Sequence, residues 1–388
     1  MSDPIEFSAT RFVHPGTERD PATGAAVPAI YRAVSYHHGD PDTPLRYDYA
    51  RSGNPTREAL EQAIAMLEGG DRAMAFASGN AALASVFLLF AAGDHLIVTR
   101  DCQGGTQRML RAVFARFGLS VSYVDTDDLA ALDAALQPST RAVLVENFSN
   151  PFLRVTDIGQ VATWAHDRGV LLLVDNTFLT PYLQAPLMLG ADIVLHSATK
   201  MISGHGDVTA GLATARGEDL ARRLYTVQNS AGAILSPDDS YLVLRGLRTL
   251  PLRMQRAMDT AGELAQWLRS QPEVREVHYP GLPGDPGHAV AARTARGFGN
   301  MVTVRLDRED LVPPFARALR LVEVGAGFGA TSTSISLPPL HCHAALTEEE
   351  RVARDITMDI LRLSVGLEEL PDIENDFRQA LDTALAEL

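Results

Sequence analysis

The chain has 388 residues, 46% of them apolar and 21% charged, which is enough to bury a large core in one main domain with a smaller one beside it. Its formal net charge of −14 argues against nucleic acid or an anionic membrane as the main partner. Cys102 and Cys342 are too few for a disulfide framework, and nothing at the N-terminus resembles a signal peptide. The longest apolar stretch, Ala81 to Ala92, is too short to span a bilayer, so a cytoplasmic enzyme is expected.

Residues 1–48, rich in Pro, Gly, Asp and His, read as an extended N-terminal arm. Thr56 is the expected N-cap of a helix with Glu58 near its positive end, an apolar stripe of Leu60, Ala63, Ile64 and Leu67, and a stop at Gly69. Short apolar runs follow at Ala73–Ala77, His95–Thr99, Ala142–Glu146, Val170–Val174 and Asp192–Leu195. Helical patterns lie among them at Asn80–Ala91, Thr106–Phe117, Leu129–Leu136 and Asp157–Asp167. Runs apolar on both faces and spaced by helices predict a mainly parallel sheet covered on both sides, a large doubly wound α/β domain over residues 49–245. A long helix over Pro237–Arg256 is expected to bridge to a smaller α+β domain, residues 246–388. That domain takes strands at Val302–Leu306 and Leu361–Val365 and a helix near Asp372–Leu385.

Ligands in doubly wound sheets bind beyond the C-terminal ends of the strands, where the chemistry-bearing residues of this chain fall. Ser78-Gly79-Asn80 follows one strand and opens a helix, a place where glycine permits close backbone approach and free N–H groups hold phosphate. His196-Ser197-Ala198-Thr199-Lys200 follows another strand and adds two hydroxyls and an amine. Lys200 is the single lysine among 34 basic residues, so arginine has replaced lysine wherever charge alone was needed. Only the lysine amine can form a Schiff base, and its retention points to a position that requires one. Hydroxyls, helix-end amides and one lysine specify a phosphorylated aldehyde better than a nucleotide, for which no GxxxxGK[ST] loop is present. Asp175 ends the run Val170–Val174 and is placed to keep a pyridine nitrogen protonated. His341-Cys342-His343 has no second Cys/His cluster to close a tetrahedral metal site, so no metal is expected.

Val174-Asp175-Asn176-Thr177-Phe178 and Ala191-Asp192-Ile193-Val194-Leu195-His196-Ser197-Ala198-Thr199-Lys200 resemble the signature of the pyridoxal-phosphate enzymes of cysteine and methionine metabolism. These are the relatives of cystathionine γ-synthase, the cystathionine lyases and methionine γ-lyase. Tyr47 to Thr56, Ser149-Asn150-Pro151 and Leu361 to Glu368 match collinearly, so the resemblance covers nearly the whole chain. It implies an aspartate-aminotransferase-like architecture of fold type I, with pyridoxal 5'-phosphate as cofactor and a small-molecule amino-acid substrate. It also implies a homo-oligomer, a homotetramer built as a dimer of dimers with shared active sites. Lys200 then binds the cofactor as a Schiff base and moves protons, while Asp175 pairs with the ring nitrogen. Ser78, Gly79, Asn80, Ser197 and Thr199 hold the phosphate, and Tyr49 and Arg51 reach the phosphate of a neighbouring subunit. Asn150 lies near the ring hydroxyl and Gln103 against the ring. Arg362 clamps the substrate carboxylate, with Thr333 and Tyr49 also at the substrate. Leu361, Leu363, Val365 and Leu367 alternate with Arg362, Ser364 and Gly366, which independently puts Arg362 on the polar face of a strand.

The chain departs from the family pattern at Gln103, where tyrosine is usual, at Asn80 in place of methionine, and at Ser332 and Thr333 in place of Glu-Ser. Glu146-Asn147-Phe148 also lacks the usual Thr-Pro or Ser-Pro after the glutamate. Changes beside an intact cofactor set imply an altered substrate or reaction preference. The resemblance implies a carbon–sulfur lyase of a sulfur amino acid. The alternatives are a γ-replacement transferase acting on an activated homoserine and a catalytically weak cofactor-binding homologue. Borohydride reduction of the cofactor-loaded protein is expected to attach the cofactor to the peptide that holds Lys200. Peptide mapping that finds no label there would overturn this reading.

Overall fold

The computed structural model describes residues 9–15, 23–37, 39–40, 42–344 and 346–388. The predicted arm falls partly outside them. Its described part has one short helix, α1 (Thr10–Val13), and is tied to the body locally, with Ser35 bridging Tyr49.

Helix α2 spans Pro55–Glu68 and ends at Gly69 in the left-handed conformation, as its stripe predicts. Its N-cap is Asn54 rather than Thr56: the Asn54 side chain accepts from the amides of Thr56 and Arg57, and Pro55 takes the first helical position. The Thr56 hydroxyl instead accepts from the Tyr31 amide at 2.8 Å and donates to the Ala29 carbonyl at 2.9 Å, fastening the arm to the helix.

The large sheet has seven strands: β1 (Arg72–Phe76), β2 (His95–Thr99), β3 (Ser120–Val124), β4 (Thr140–Glu146), β5 (Leu171–Asp175), β6 (Ile193–Ser197) and β7 (Gly211–Ala215), in the order β1-β7-β6-β5-β4-β2-β3. The pairs from β3 through β6 are parallel, and β7 runs antiparallel between β6 and β1. Strands β3 and β7 were not among the predicted runs. Gly211-Leu212-Ala213-Thr214-Ala215 and Ser120-Val121-Ser122-Tyr123-Val124 dilute their apolar residues with small or polar ones, so neither reads as a buried run.

Period-two alternation divides the strands between two cores. Leu96, Val98, Leu144 and Leu173 pack on one face with Val86 and Phe87 of helix α3 (Gly79–Phe87) and Leu110 of helix α4 (Gly104–Ala112). Ile97, Val143, Val145, Leu172 and Val174 pack on the other with Leu132 of helix α5 (Leu129–Ala135) and Val161 and Trp164 of helix α6 (Ile158–His166). The predicted Thr106–Phe117 helix is two pieces, α4 and a 3-10 turn over Phe114–Phe117. Helix α3 starts one residue earlier than predicted, capped by Ser78.

The expected single helix over Pro237–Arg256 is also two, Pro237–Leu247 and Leu250–Arg269. Pro251 lacks the N–H that would carry the hydrogen-bond ladder on from Leu247, so the chain breaks at Arg248 and Thr249 and Pro251 sits in the first turn of the new helix. The second helix leads into a five-stranded sheet ordered β10-β11-β12-β9-β8. Its strands are β8 (Val274–His278), β9 (Met301–Leu306), β10 (Glu323–Val324), β11 (Ser334–Ser336) and β12 (Ile360–Ser364). Val302, Val304, Leu361 and Leu363 face a core with Phe315, Phe377 and Leu264. The opposite face carries Thr303 and Arg362 as register partners, and the Thr303 hydroxyl donates to the Pro151 carbonyl of the large domain at 2.5 Å. Among the described residues no helix is long and apolar enough to cross a membrane.

Candidate active site

The C-terminal ends of β1, β4, β5 and β6 converge on a cavity of about 300 Å³ that also takes in the start of α3, Gln103 and Phe328. Close backbone approach builds its floor. A methyl group on Gly79 would meet Ser197 Cβ at 2.9 Å, and one on Gly211 would meet the Ser78 carbonyl oxygen at 2.0 Å. Only glycine lets the turn into α3 sit this tightly on the ends of β6 and β7.

At that turn Ser78 accepts from the Ala81 amide, while the amides of Gly79 and Asn80 have no partner among the described residues. Unused N–H groups at a helix N-terminus, with the Ser197 hydroxyl against them, make an anion cradle. The Thr199 hydroxyl is engaged with Ala210, donating to its carbonyl at 3.1 Å and accepting from its amide at 2.9 Å. Thr199 therefore lines the cradle while also closing the turn before β7. Thr209 lines the cavity too and was not picked out from the sequence.

Asp175 ends β5 in register with Glu146 at the end of β4, and both carboxyls line the cavity. Asp175 Oδ1 accepts from the Thr177 hydroxyl at 2.5 Å and the Thr177 amide at 3.0 Å. The Thr177 hydroxyl in turn accepts from the Ser197 amide at 2.8 Å, which ties the carboxylate to β6. Asp175 Oδ2 has no partner among the described residues. Burial raises the proton affinity of Asp175 against the lowering effect of Thr177. Glu146 is raised well above the ordinary carboxyl range, first by burial and then by the charge of Asp175. Thr177 and Glu146 lay inside quoted sequence motifs, but a strand-end Thr or Glu is too common to be singled out before the register is known.

Lys200 follows β6. Its Nζ lies 4.0 Å from the centroid of Phe328, whose ring also faces the Arg362 guanidinium at 4.7 Å and meets Phe178 edge-on at 5.3 Å. Burial, with the charge of Arg362, lowers the Lys200 pKa to about 8. The segment beyond it is pinned by Arg253, which donates to the carbonyls of Met201 at 2.7 Å and Gly246 at 2.8 Å. Phe328 carried no sequence signal, because a lone aromatic in a glycine-rich stretch has no period to place it.

Arg362 is buried on β12. It stands behind the cavity lining rather than on it. Its Nη1 donates to Asn150 Oδ1 at 2.7 Å, while Nε is buried without a partner and Nη2 makes no hydrogen bond among the described residues. An unpaired buried guanidinium edge is costly and matches the two oxygens of a carboxylate. Asn150 lines the cavity, as expected. Gln103 does so as well, with its Oε1 capping α4.

Three expected positions are not brought into the cavity. The buried Thr333 hydroxyl donates to Glu368 Oε2 at 2.7 Å and accepts from the Gly366 amide at 2.9 Å, so it locks the turn after β12 and is not part of the cavity lining. Tyr49 and Arg51 are exposed, stack on one another at 5.6 Å, and lie outside the cavity lining of their own chain. Cys342 and His343 sit beside Arg362, with Cys342 Sγ 3.1 Å from His343 Nδ1. Among the described residues no group of three or more metal-ligating side chains occurs.

These residues fit pyridoxal phosphate on observations independent of resemblance. The glycine-lined cradle accepts a phosphate, the unpartnered Oδ2 of Asp175 accepts a ring N–H, and a desolvated lysine of lowered pKa offers the amine. The family model described as Cys/Met metabolism PLP-dependent enzyme matches residues 9–382. Cystathionine beta-lyase MetC of Bacillus subtilis is 44% identical over 96% of this chain and 95% of its own length. The crystal structure of cystathionine gamma-lyase from Lactobacillus plantarum complexed with L-serine superposes with a TM-score of 0.95 at 39% identity, covering 98% of this chain and 99% of that one. Cystathionine gamma synthase from Xanthomonas oryzae in complex with cystathionine gives a TM-score of 0.95 at 40% identity over 98% and 99% of the two chains. The expected type I architecture therefore holds.

The lowered lysine has a consequence for stability. In the cofactor-free protein the folded chain gives up the Lys200 proton near pH 8, and the unfolded chain near the ordinary 10.5. Between those values the unfolded state holds more protons, so the contribution of Lys200 to stability rises with pH and is least favourable below pH 8. Lys200→Met is expected to remove that rise. Urea unfolding of the cofactor-free wild type and variant at pH 7 and pH 10 measures it, and equal pH dependence in the two would refute it.

Proposed function

The chain belongs to the Cys/Met metabolism PLP-dependent enzymes, and on that premise we propose that it is a carbon–sulfur lyase of a sulfur amino acid. In this reading it releases a thiol, ammonia and a 2-oxo acid. The observation that carries the substrate class is the buried Nε–Nη2 edge of Arg362, an unpaired cation beside a cavity that holds the one lysine of the chain. Pyridoxal phosphate bound there supplies an aldehyde for the substrate amine and an electron-withdrawing ring that stabilises charge at the α-carbon.

The residues of this chain do the rest. The α3 amides and Ser197 would bind the phosphate, and Asp175 would accept from the ring N–H beside Glu146, whose proton affinity burial raises. Arg362, oriented by Asn150, holds the α-carboxylate and so sets which Cα bond faces Lys200. Lys200 Nζ, whose neutral form burial and the charge of Arg362 favour, would take the α-proton. For β-elimination the electron pair left at the α-carbon becomes the Cα–Cβ double bond as the C–S bond breaks, and the sulfur departs with its own pair and gains a proton. Water then converts the released enamine to the 2-oxo acid and ammonia. A γ-lyase reaction needs a further proton transfer at Cβ, for which Lys200 is the available base.

A second reading, γ-replacement on an activated homoserine, is supported by the likeness to the Xanthomonas oryzae synthase. We also propose that the protein works in the cytoplasm as a homotetramer. The exposed Tyr49–Arg51 pair supports this, since two residues of the family's phosphate site lie away from the cavity of their own chain and are free to serve a neighbour's. A monomeric active species in sedimentation would rule out shared sites.

Purified, cofactor-loaded protein supplied with cystathionine or a cysteine conjugate is expected to yield 2-oxo acid and thiol in equal amounts. Arg362→Ala should lower kcat/KM by about a hundredfold or more, as loss of a paired buried charge does. No oxo acid from any thioether amino acid would reject the lyase reading. Thioether product from O-acyl homoserine and a thiol, without oxo acid, would establish the transferase instead.

A further inference from the structure

Arg362 keeps one edge free for a ligand, and its Nη1 has a second polar neighbour besides Asn150: the Cys342 sulfur, 3.8 Å away. The same sulfur lies 3.1 Å from His343 Nδ1, 3.8 Å from Asn150 Oδ1 and 4.0 Å from the Pro338 carbonyl oxygen. Asn150, His343 and Arg362 are each 2% exposed or less, so the cluster is built into the interior behind the cavity lining.

The backbone, more than the sulfur's own weak bonds, holds Cys342 there. The His343 amide donates to the Pro338 carbonyl at 2.9 Å and the Leu337 amide to His341 Nδ1 at 3.1 Å, which closes the segment into a compact turn. The Cys342 carbonyl oxygen presses on α4, where a methyl group on Gly104 would meet it at 1.9 Å. A different side chain at this position therefore starts from the same Cβ, beside the same guanidinium.

What the position does for Arg362 depends on its charge. Burial raises the Cys342 thiol above its ordinary range against the opposing charge of Arg362. Burial, with the charges of Arg362 and Arg354, lowers His343 to about 3. The pair is therefore a thiol donating to an uncharged imidazole, with no negative charge to set against the guanidinium. A carboxylate on the same Cβ would extend about 1.2 Å beyond the place of the sulfur and close the gap to Nη1 to hydrogen-bond length. It would pair with Arg362 from within the protein and compete with the carboxylate of a ligand.

We infer that Cys342 is a positioning residue for Arg362: an uncharged sulfur, hydrogen-bonded to His343, steadies Nη1 together with Asn150 and leaves the guanidinium charge to the α-carboxylate of the substrate. This rests on the reading of Arg362 as the carboxylate site and adds what keeps its charge available.

Cys342→Asp and Cys342→Asn share a shape and differ in charge. Each holoenzyme is titrated calorimetrically with norleucine and with norleucinamide, which differ only at the α-carboxyl group and hold no C–S bond to cleave. The ratio of the two affinities isolates the carboxylate contact, whereas loosened packing alone would weaken both ligands alike. The wild type is expected to prefer norleucine at least about tenfold, Cys342→Asn to keep most of that preference, and Cys342→Asp to abolish or reverse it. In turnover of a thioether amino acid, Cys342→Asp should raise KM at least about tenfold over Cys342→Asn, with kcat changed much less.

If Cys342→Asp does not fold with its cofactor, Cys342→Ala and Cys342→Ser carry the test. Loss of the polar contact should lower the ratio about threefold, and the serine hydroxyl should restore it. Asp and Asn variants with the same ratio, or in their place an Ala variant with the ratio of the wild type, overturn the inference. A wild type that binds both ligands equally rejects Arg362 as the carboxylate site and removes the inference with it. A preference for norleucine in a protein that forms no oxo acid rejects the lyase reading and leaves the role of Cys342 standing.

Discussion

Three ionisable groups, Lys200, Asp175 and Glu146, line one cavity with the buried Arg362 behind it, and none of the four forms an ion pair with another described residue. Desolvated charges left unpaired are among the most expensive features a fold can hold. Much of the architecture around the site keeps them apart. The parallel register sets Asp175 beside Glu146, and burial raises the proton affinity of both. The Phe328 ring gives both the lysine and the arginine an aromatic contact instead of a carboxylate. Arg253 holds the Met201 and Ile202 carbonyls and so fixes the backbone that follows Lys200. The resulting cavity is electrostatically incomplete, and a ligand with a phosphate, a protonated ring and a carboxylate completes it.

The two domains contribute to that arrangement unequally. The doubly wound sheet supplies the phosphate cradle, both carboxyls and the lysine from strand ends that the core fixes rigidly. The smaller sheet supplies Arg362 from the face opposite its core, and Phe328 from the segment between β10 and β11. Contact between them is close: a methyl group on Gly104 of α4 would meet the Cys342 carbonyl oxygen at 1.9 Å. The position of the substrate carboxylate relative to Lys200 therefore depends on how the two domains dock.

The residues legible in the sequence were those whose chemistry is rare or whose pattern is strong. A lone lysine in an arginine-rich chain, a carboxylate closing a five-residue apolar run, and an arginine alternating with Leu361 and Leu363 all proved to be where their patterns placed them. What sequence reasoning missed depends on register and on three-dimensional neighbours. Glu146 matters because β4 and β5 align it with Asp175, and Thr177 because its hydroxyl joins Asp175 to β6. Thr333 was expected at the substrate, but its hydroxyl is committed to Glu368 and Gly366, a competition among local hydrogen bonds that one-dimensional spacing does not reveal. The helix break before Pro251 and the cap at Asn54 rather than Thr56 are smaller cases in which neighbouring candidates compete and geometry decides.

The replacement of lysine by arginine reaches beyond the cavity. Electrophiles in a cell, such as sugar aldehydes, acyl thioesters and acyl phosphates, react with ε-amines far more readily than with guanidinium groups. On most proteins they are dispersed over a surface where a hit does little harm. Here the α-amino terminus is the one other aliphatic amine, and every ε-amine adduct must form inside the active site. Chemical ageing of this enzyme is thereby nearly all-or-none: a molecule is either unmarked on its ε-amine or disabled, and a resident cofactor shields the vulnerable atom.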